Sequence, residues 1–317
     1  MLYLDHAATT PLRPEAREAM APYLDAAYGN PSGIHGLARE AKLALEDARE
    51  RAAALLGAVH PLEIVFTGGG TESDNLGVAG PVLAAGRGAG IVTTAVEHEA
   101  VLETARFLER LGHPLSVIGV DAAGRVDPKA VAAAVDERTA VVSVLAANNE
   151  TGWTQPVAET AELVAERPGA AKVHTDAVQH FVSEDGRVDE WGIDLLTLAS
   201  HKFGGPKGVG LLYVRDEIEL EPVLHGGGQE VGRRSGTHNV AGIVGMVAAM
   251  EAAAADRERF RADVGVARDR FETRLATGLG PVLAGVAVYF LSARLLGIGE
   301  ARWLSALLRT PTSSPVP

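Results

Sequence analysis

The feature that most constrains this fold is a regular exchange of short apolar runs with amphipathic ones. Strand-like runs occupy residues 64–66, 91–95, 115–120, 140–146, 171–175, 195–199 and 209–214, and helix-like runs occupy 99–111, 128–135 and 158–166. Such alternation predicts an α/β fold in three layers, a mainly parallel sheet with helices on both faces. Sites on sheets of this kind form at the carboxyl ends of the strands. Before the alternation, residues 1–12 read as a strand-like piece and 14–27 as a helix opened by Pro14. Apolar residues at 37, 41, 44, 45, 48, 52 and 55 then mark one face of a further helix. A last helical stretch runs over 239–276.

Composition removes several classes of function. The net charge of −12 argues against nucleic acid or an anionic membrane as a partner. The 317 residues contain no cysteine, so disulfides, thiolate metal sites and a cysteine nucleophile are excluded within them. The first residues, Met1-Leu2-Tyr3-Leu4-Asp5, lack the basic and apolar regions of a signal peptide, and the expected location is cytoplasmic. Residues 282–293 are apolar but too short to span a bilayer, and Arg294 comes directly after them.

Lys202 follows the apolar run 195–199 and precedes the Gly/Pro turn Gly204-Gly205-Pro206-Lys207-Gly208. An amine at the end of a buried strand loses solvation, and that favours attack on carbonyls. Gly68-Gly69-Gly70-Thr71 lies between a strand and a helix start, where free N–H groups and the helix dipole suit a phosphate. No Lys-Ser/Thr pair follows these glycines and no dinucleotide fingerprint is present. His98, Asn149, Asp176 with Gln179, and Lys202 follow other strands. Together they suit a cofactor with a phosphate, a pyridine ring and an aldehyde. The phosphate would rest on Gly70-Thr71, the aldehyde would bond to Lys202, Asp176 would keep the ring nitrogen protonated, and His98 would stack on the ring and shuttle protons. That cofactor is pyridoxal 5′-phosphate. Asp176 and Lys202 stand 26 residues apart, enough chain to cross to the next strand and return to the same edge.

Several segments carry a resemblance: Tyr3 to Pro11, Gly29-Asn30-Pro31-Ser32, Phe66 to Ser73, Glu97-His98, Asn148 to Gly152, His174 to Gln179, Ser200-His201-Lys202 with Gly205 to Gly208, and Gly226 to Glu230 with Arg234 to Thr237. In this order, over roughly residues 1–280, the chain resembles the NifS/IscS-type cysteine desulfurases. These belong to the class V aminotransferases of fold-type I. The resemblance implies that Lys202 holds the cofactor's aldehyde carbon, Asp176 pairs with the pyridine nitrogen, and Gln179 with the ring oxygen. It implies that His98 stacks on the ring, that Gly70, Thr71 and His201 hold the phosphate, and that Asn149 lies near substrate and cofactor. Thr237 would reach the phosphate of a neighbouring subunit, since the family is a homodimer with shared sites. The implied reaction converts L-cysteine, or a related amino acid, to L-alanine and passes sulfur to an acceptor protein, as in iron–sulfur cluster assembly. One position departs: where the family commonly has serine three residues before the lysine, this chain has Ala199. Ser200 is the expected replacement, its side chain starting in a different direction.

The resemblance ends near residue 280. The family's persulfide-forming cysteine, and the arginine that grips the substrate carboxylate, have no counterpart in residues 280–317. The expectation is a large cofactor-binding domain over 1–250, with residues 1–15 packing against the small domain, and an incomplete or aberrant small domain over 251–317. A reading frame shifted or ended near Leu279 would produce this, and residues 310–317 read as disordered. Desulfurase activity is then expected to be impaired. Two other readings stay open: a C–S or C–Se lyase that needs no protein thiol, and a catalytically inactive partner.

Overall fold

The computed structural model describes residues 3–169 and 171–295. Seven strands form one sheet: β1 (Ile64–Thr67), β2 (Gly90–Thr94), β3 (Leu115–Ile118), β4 (Thr139–Ser143), β5 (Lys172–Asp176), β6 (Leu195–Ala199) and β7 (Gly210–Val214). Their spatial order is β1-β7-β6-β5-β4-β2-β3. Only β7 pairs antiparallel, with both β6 and β1, so the other six strands run one way and end at one edge. The helices are α1 (Pro14–Leu24), α2 (Gly36–Leu56), α3 (Gly70–Ala85), α4 (Glu99–Arg110), α5 (Pro128–Ala133), α6 (Val157–Ala165), α7 (Val188–Trp191) and α8 (Val240–Leu295).

Apart from the edge strand β3, the strands are buried on both faces, and alternate residues serve opposite layers. Val92, Val142, Leu196 and Leu211 pack with residues of α1, α2, α5, α6 and the start of α8. Their neighbours Ile91 and Val141 pack with α3 and α4, and Leu195 and Leu212 pack with Leu76 of α3. This two-sided burial explains why the strands read as continuous apolar runs. The chain divides into two compact units, residues 1–257 and 258–317. The sheet, α1 to α7, the start of α8 and the strand-end crevice belong to the first. Of the expected small domain, residues 296–317, with the 310–317 tail, lie outside the described residues. No described helix is long and apolar enough to cross a membrane.

Two expectations from sequence need correction. Residues 3–12 form no strand. The Thr10 N–H donates to the His201 carbonyl at 3.0 Å and the Arg13 N–H to Gly204 at 2.8 Å, so this segment lies across the Lys202 loop instead of joining the sheet. Helix α1 stops at Leu24, three residues early. Pro22 supplies no N–H to the helix ladder, and the chain closes with the Ala27 N–H on the Pro22 carbonyl at 2.8 Å.

Candidate active site

The sheet order reverses at β2 and β4: β2 leads outward to β3, and β3 crosses back to β4. A crevice opens at such a reversal, beyond the carboxyl ends of the strands. Here it is a cavity of about 470 Å³ lined by Asp5, Ala7, Gly70, Thr71, Asp74, His98, Asn149, Asp176, Gln179, Ala199, His201 and Lys202, among others. Eight of the ten residues expected from sequence thus meet in one place. The other two do not line it. Ser200 is buried, its Oγ has no hydrogen-bond partner, and it packs against Gly205. Thr237 is exposed, on the loop before α8.

Each side chain is set by local structure. Asp176 ends β5 and is only 7% exposed; its Oδ1 accepts the Val178 N–H at 2.9 Å. Burial pushes its carboxyl up, while the Val178 N–H, His98 and Lys202 pull it down. Lys202 stands in the turn after β6, and its Nζ donates to the Ala7 carbonyl at 2.6 Å. The same carbonyl accepts Gln179 Nε2 at 2.9 Å. Burial holds the Lys202 amine below the ordinary lysine range, with Asp176 and Asp5 opposing. His98 caps α4 by accepting the Ala100 N–H on Nδ1 at 3.1 Å, which fixes its ring. His201 Nδ1 lies 3.1 Å from Thr9 Oγ1.

Helix α3 begins at Gly70, so its first N–H groups have no partner within the helix. The backbone at Gly70 approaches the sheet closely: a Cβ there would lie 3.1 Å from that of Ala199, tighter than an ordinary contact. A second cavity of about 780 Å³ adjoins the first, sharing Gly70, Thr71 and His201 and adding Lys207, Arg233 and Arg234. The meeting point of the two cavities, with a helix N-terminus and basic groups, suits a phosphate. The donor set therefore fits pyridoxal 5′-phosphate: an anion seat, a carboxylate for a ring N–H, an imidazole cap and a partly desolvated amine.

Sequence reading missed the polar layer beneath. Asp74, in the second turn of α3, is 2% exposed. A carboxylate oxygen of Asp74, one of Asp176 and a ring nitrogen of His98 lie within 4.8 Å of one another. His174 is fully buried between Ser143 Oγ at 2.8 Å and Thr197 Oγ1 at 3.0 Å. Glu97 Oε1 accepts Thr94 Oγ1 at 2.7 Å and the Leu145 N–H at 2.9 Å. Apart from Asn75 the rest of α3 is apolar or small, but Asp74 stands next to the polar first turn, so the sequence does not place it in the core.

These groups give stability a defined pH dependence. Burial lowers His174 to about 3 from 6.5, so the unfolded chain binds a proton the folded one does not, and stability falls as pH drops below 6.5. Burial raises Glu97 to about 8 from 4.5, so the folded chain keeps a proton the unfolded one releases, and stability falls as pH rises from 4.5 to 8. The cofactor-free protein should therefore lose melting temperature between pH 6.5 and 8, and E97Q should make that loss shallower. An identical slope in E97Q would show that Glu97 is not the group responsible.

The comparisons agree with this geometry. The family model for aminotransferase class-V matches residues 2–277. The cysteine desulfurase IscS of Dictyoglomus turgidum is 46% identical over 259 residues, which is 81% of this chain and 65% of the relative. The chain thus spans just under two thirds of that protein's length. A solved NifS-like protein superposes with a TM-score of 0.81 at 39% identity, covering 88% of this chain and 76% of that one. A structure described as SspA in complex with cysteine superposes with a TM-score of 0.76, also at 39% identity, covering 79% and 72%. The chain belongs to the class-V aminotransferase family, as a homologue of the NifS/IscS-type cysteine desulfurases whose 317 residues contain no cysteine.

Proposed function

We propose that this chain binds pyridoxal 5′-phosphate at Lys202 and acts on L-cysteine or a related amino acid, leaving its sulfur to a thiol outside these 317 residues. The observation that carries the reading is the convergence of Lys202, Asp176 and His98 on one cavity at the N-terminus of α3. Bound there, the cofactor supplies an electron sink for charge developing at the substrate's Cα. The Asp176 carboxylate holds a proton on the ring nitrogen. Lys202, with its lowered proton affinity, is suited to take and return a proton inside the cavity. His98 closes one side of the cavity and offers Nε2 as a second proton carrier, since its Nδ1 is engaged as the α4 cap.

In balanced form, L-cysteine and an external thiol give L-alanine and a persulfide on that thiol. The proposal includes a homodimer, supported by the exposed position of Thr237 outside its own cavity. The absence of cysteine also favours a second reading, a C–S or C–Se lyase that needs no protein thiol. The cofactor-loaded protein should be given L-cysteine and dithiothreitol, and alanine, pyruvate and sulfide measured. Alanine and sulfide in equal amounts support sulfur transfer. Pyruvate in place of alanine supports the lyase. No turnover, with cofactor bound, removes both and leaves an inactive partner.

A further inference from the structure

Asp74 has no part in the proton transfers assigned to Lys202 and His98, yet it lines the same cavity and is almost wholly buried. Its Oδ1 has no hydrogen-bond partner among the described residues. The Thr197 side chain favours its charged form, and His174 Nε2 lies 3.8 Å from that oxygen. Thr197 is paired with Asp176 in the β5–β6 register, and its hydroxyl is fixed by His174, which Ser143 holds from β4. Three adjacent strands thus hold in place the hydroxyl that bears on this carboxyl group. One hydroxyl does not compensate a buried negative charge, and an ionised carboxylate in such a place is costly.

The groups facing Asp74 decide which of the two neighbouring aspartates ionises. They are Asp176 and His174 on β5, Glu97 and His98 between β2 and α4, and Lys202 beyond β6. Asp176 has the Val178 N–H and the attraction of His98 and Lys202. Burial first, and then the repulsion of Asp176, push Asp74 well above the ordinary carboxylate range. Two carboxylates this close do not both ionise.

We propose that Asp74 is a positioning residue for Asp176: it stands as the neutral acid beneath the cavity, so that Asp176 presents the single negative charge to the ring nitrogen. The inference rests on reading the cavity as a pyridoxal phosphate site. A neutral Asp74 keeps Asp176 seated without competing with it for the ring proton.

The test uses infrared difference spectra of the purified chain without cofactor at pH 7, in wild type, D74N and E97Q. The protonated-carboxyl C=O band of the wild type should contain a component lost in D74N and a separate one lost in E97Q. A wild-type band wholly accounted for by E97Q would overturn the proposal. After cofactor loading, the pH midpoint of the visible band should be the same in wild type and D74N, because an amide replaces a neutral acid without changing charge. Cofactor affinity should stay within about twofold in D74N and fall about tenfold in D74A, which empties the buried space the carboxyl group fills. If Asp74 were ionised, D74N would remove a charge beside Asp176 and move the midpoint by about one unit or more, which would also overturn the proposal. Failure of the wild type to take up cofactor would instead count against the proposed function, since the infrared result does not depend on the cofactor.

Discussion

Alanine in place of Lys202 is expected to remove the visible absorbance of the cofactor-loaded protein and to lower cysteine turnover by about 10³-fold. Lys202 is the amine in the cavity, and burial lowers its proton affinity while Asp176 and Asp5 work against that. The fold should survive the change. The Lys202 Nζ makes one hydrogen bond, to the Ala7 carbonyl, and a bond of this kind contributes only about 1 kcal/mol. Lys207 is the control: it lines the adjoining cavity and not this one, so K207A should keep the visible band. A K202A protein that melts like the wild type and still shows the band would remove Lys202 from its assigned role.

The second large effect concerns stability. Arg49 of α2 is 8% exposed and grips Glu230, which is 5% exposed, through two hydrogen bonds of 2.7 and 2.8 Å. Arg49 also donates to the Ile64 carbonyl and lies 5.0 Å above the Phe66 ring. Glu230 accepts the Phe66 N–H at 3.1 Å, and His238 Nε2 lies 2.8 Å from it. This network ties α2, β1 and the loop before α8 together. Burial pushes Glu230 up, but the bonds from His238 and Arg49 outweigh it and hold the carboxyl below the ordinary glutamate value. R49A would leave a buried carboxylate without its charged partner, at a cost of about 3–5 kcal/mol. For a chain of this size that is a melting temperature lower by roughly 4–8 °C. Because the native carboxyl value is depressed, the ion pair's contribution is present above the ordinary glutamate range and is lost as pH falls below it. The R49A deficit should therefore shrink in acid. A melting temperature within a degree or two of wild type at pH 7 would contradict this role for Arg49.

Much of the site was legible because it lies where regular elements end. Lys202 and Asp176 follow apolar strands, Gly70-Thr71 opens a helix, and His98 precedes one, so each had a sequence context that fixed its place at one edge of the sheet. What stayed hidden depends on contacts between elements distant in sequence. The Ala7 carbonyl that holds both Lys202 and Gln179 is a backbone atom, which no side-chain pattern can announce. Residues 3–12 look like a strand because Tyr3 and Leu4 are apolar, but their hydrogen-bond partners lie near residue 201 and Pro11 has no N–H to give a ladder. Asp74 reads locally as one more charge in a polar helix start. Only the packing of α3 on β5, so close that a Cβ on Gly77 would lie 2.7 Å from the His174 ring, shows that it faces the sheet. Ser200 shows the converse. It sits beside the lysine in sequence, yet the turn directs its hydroxyl to Gly205, and Ala199 is the neighbour that faces the cavity.

The central claim is that Lys202 holds the cofactor in the cavity at the carboxyl end of the sheet. Borohydride reduction of the cofactor-loaded chain, with peptide mass spectrometry of the product, tests it most directly. The expected result is one phosphopyridoxyl group per chain, on the peptide containing Lys202 and absent from K202A. A label on Lys207 or another lysine, or no label on a protein that shows the visible band, would contradict it.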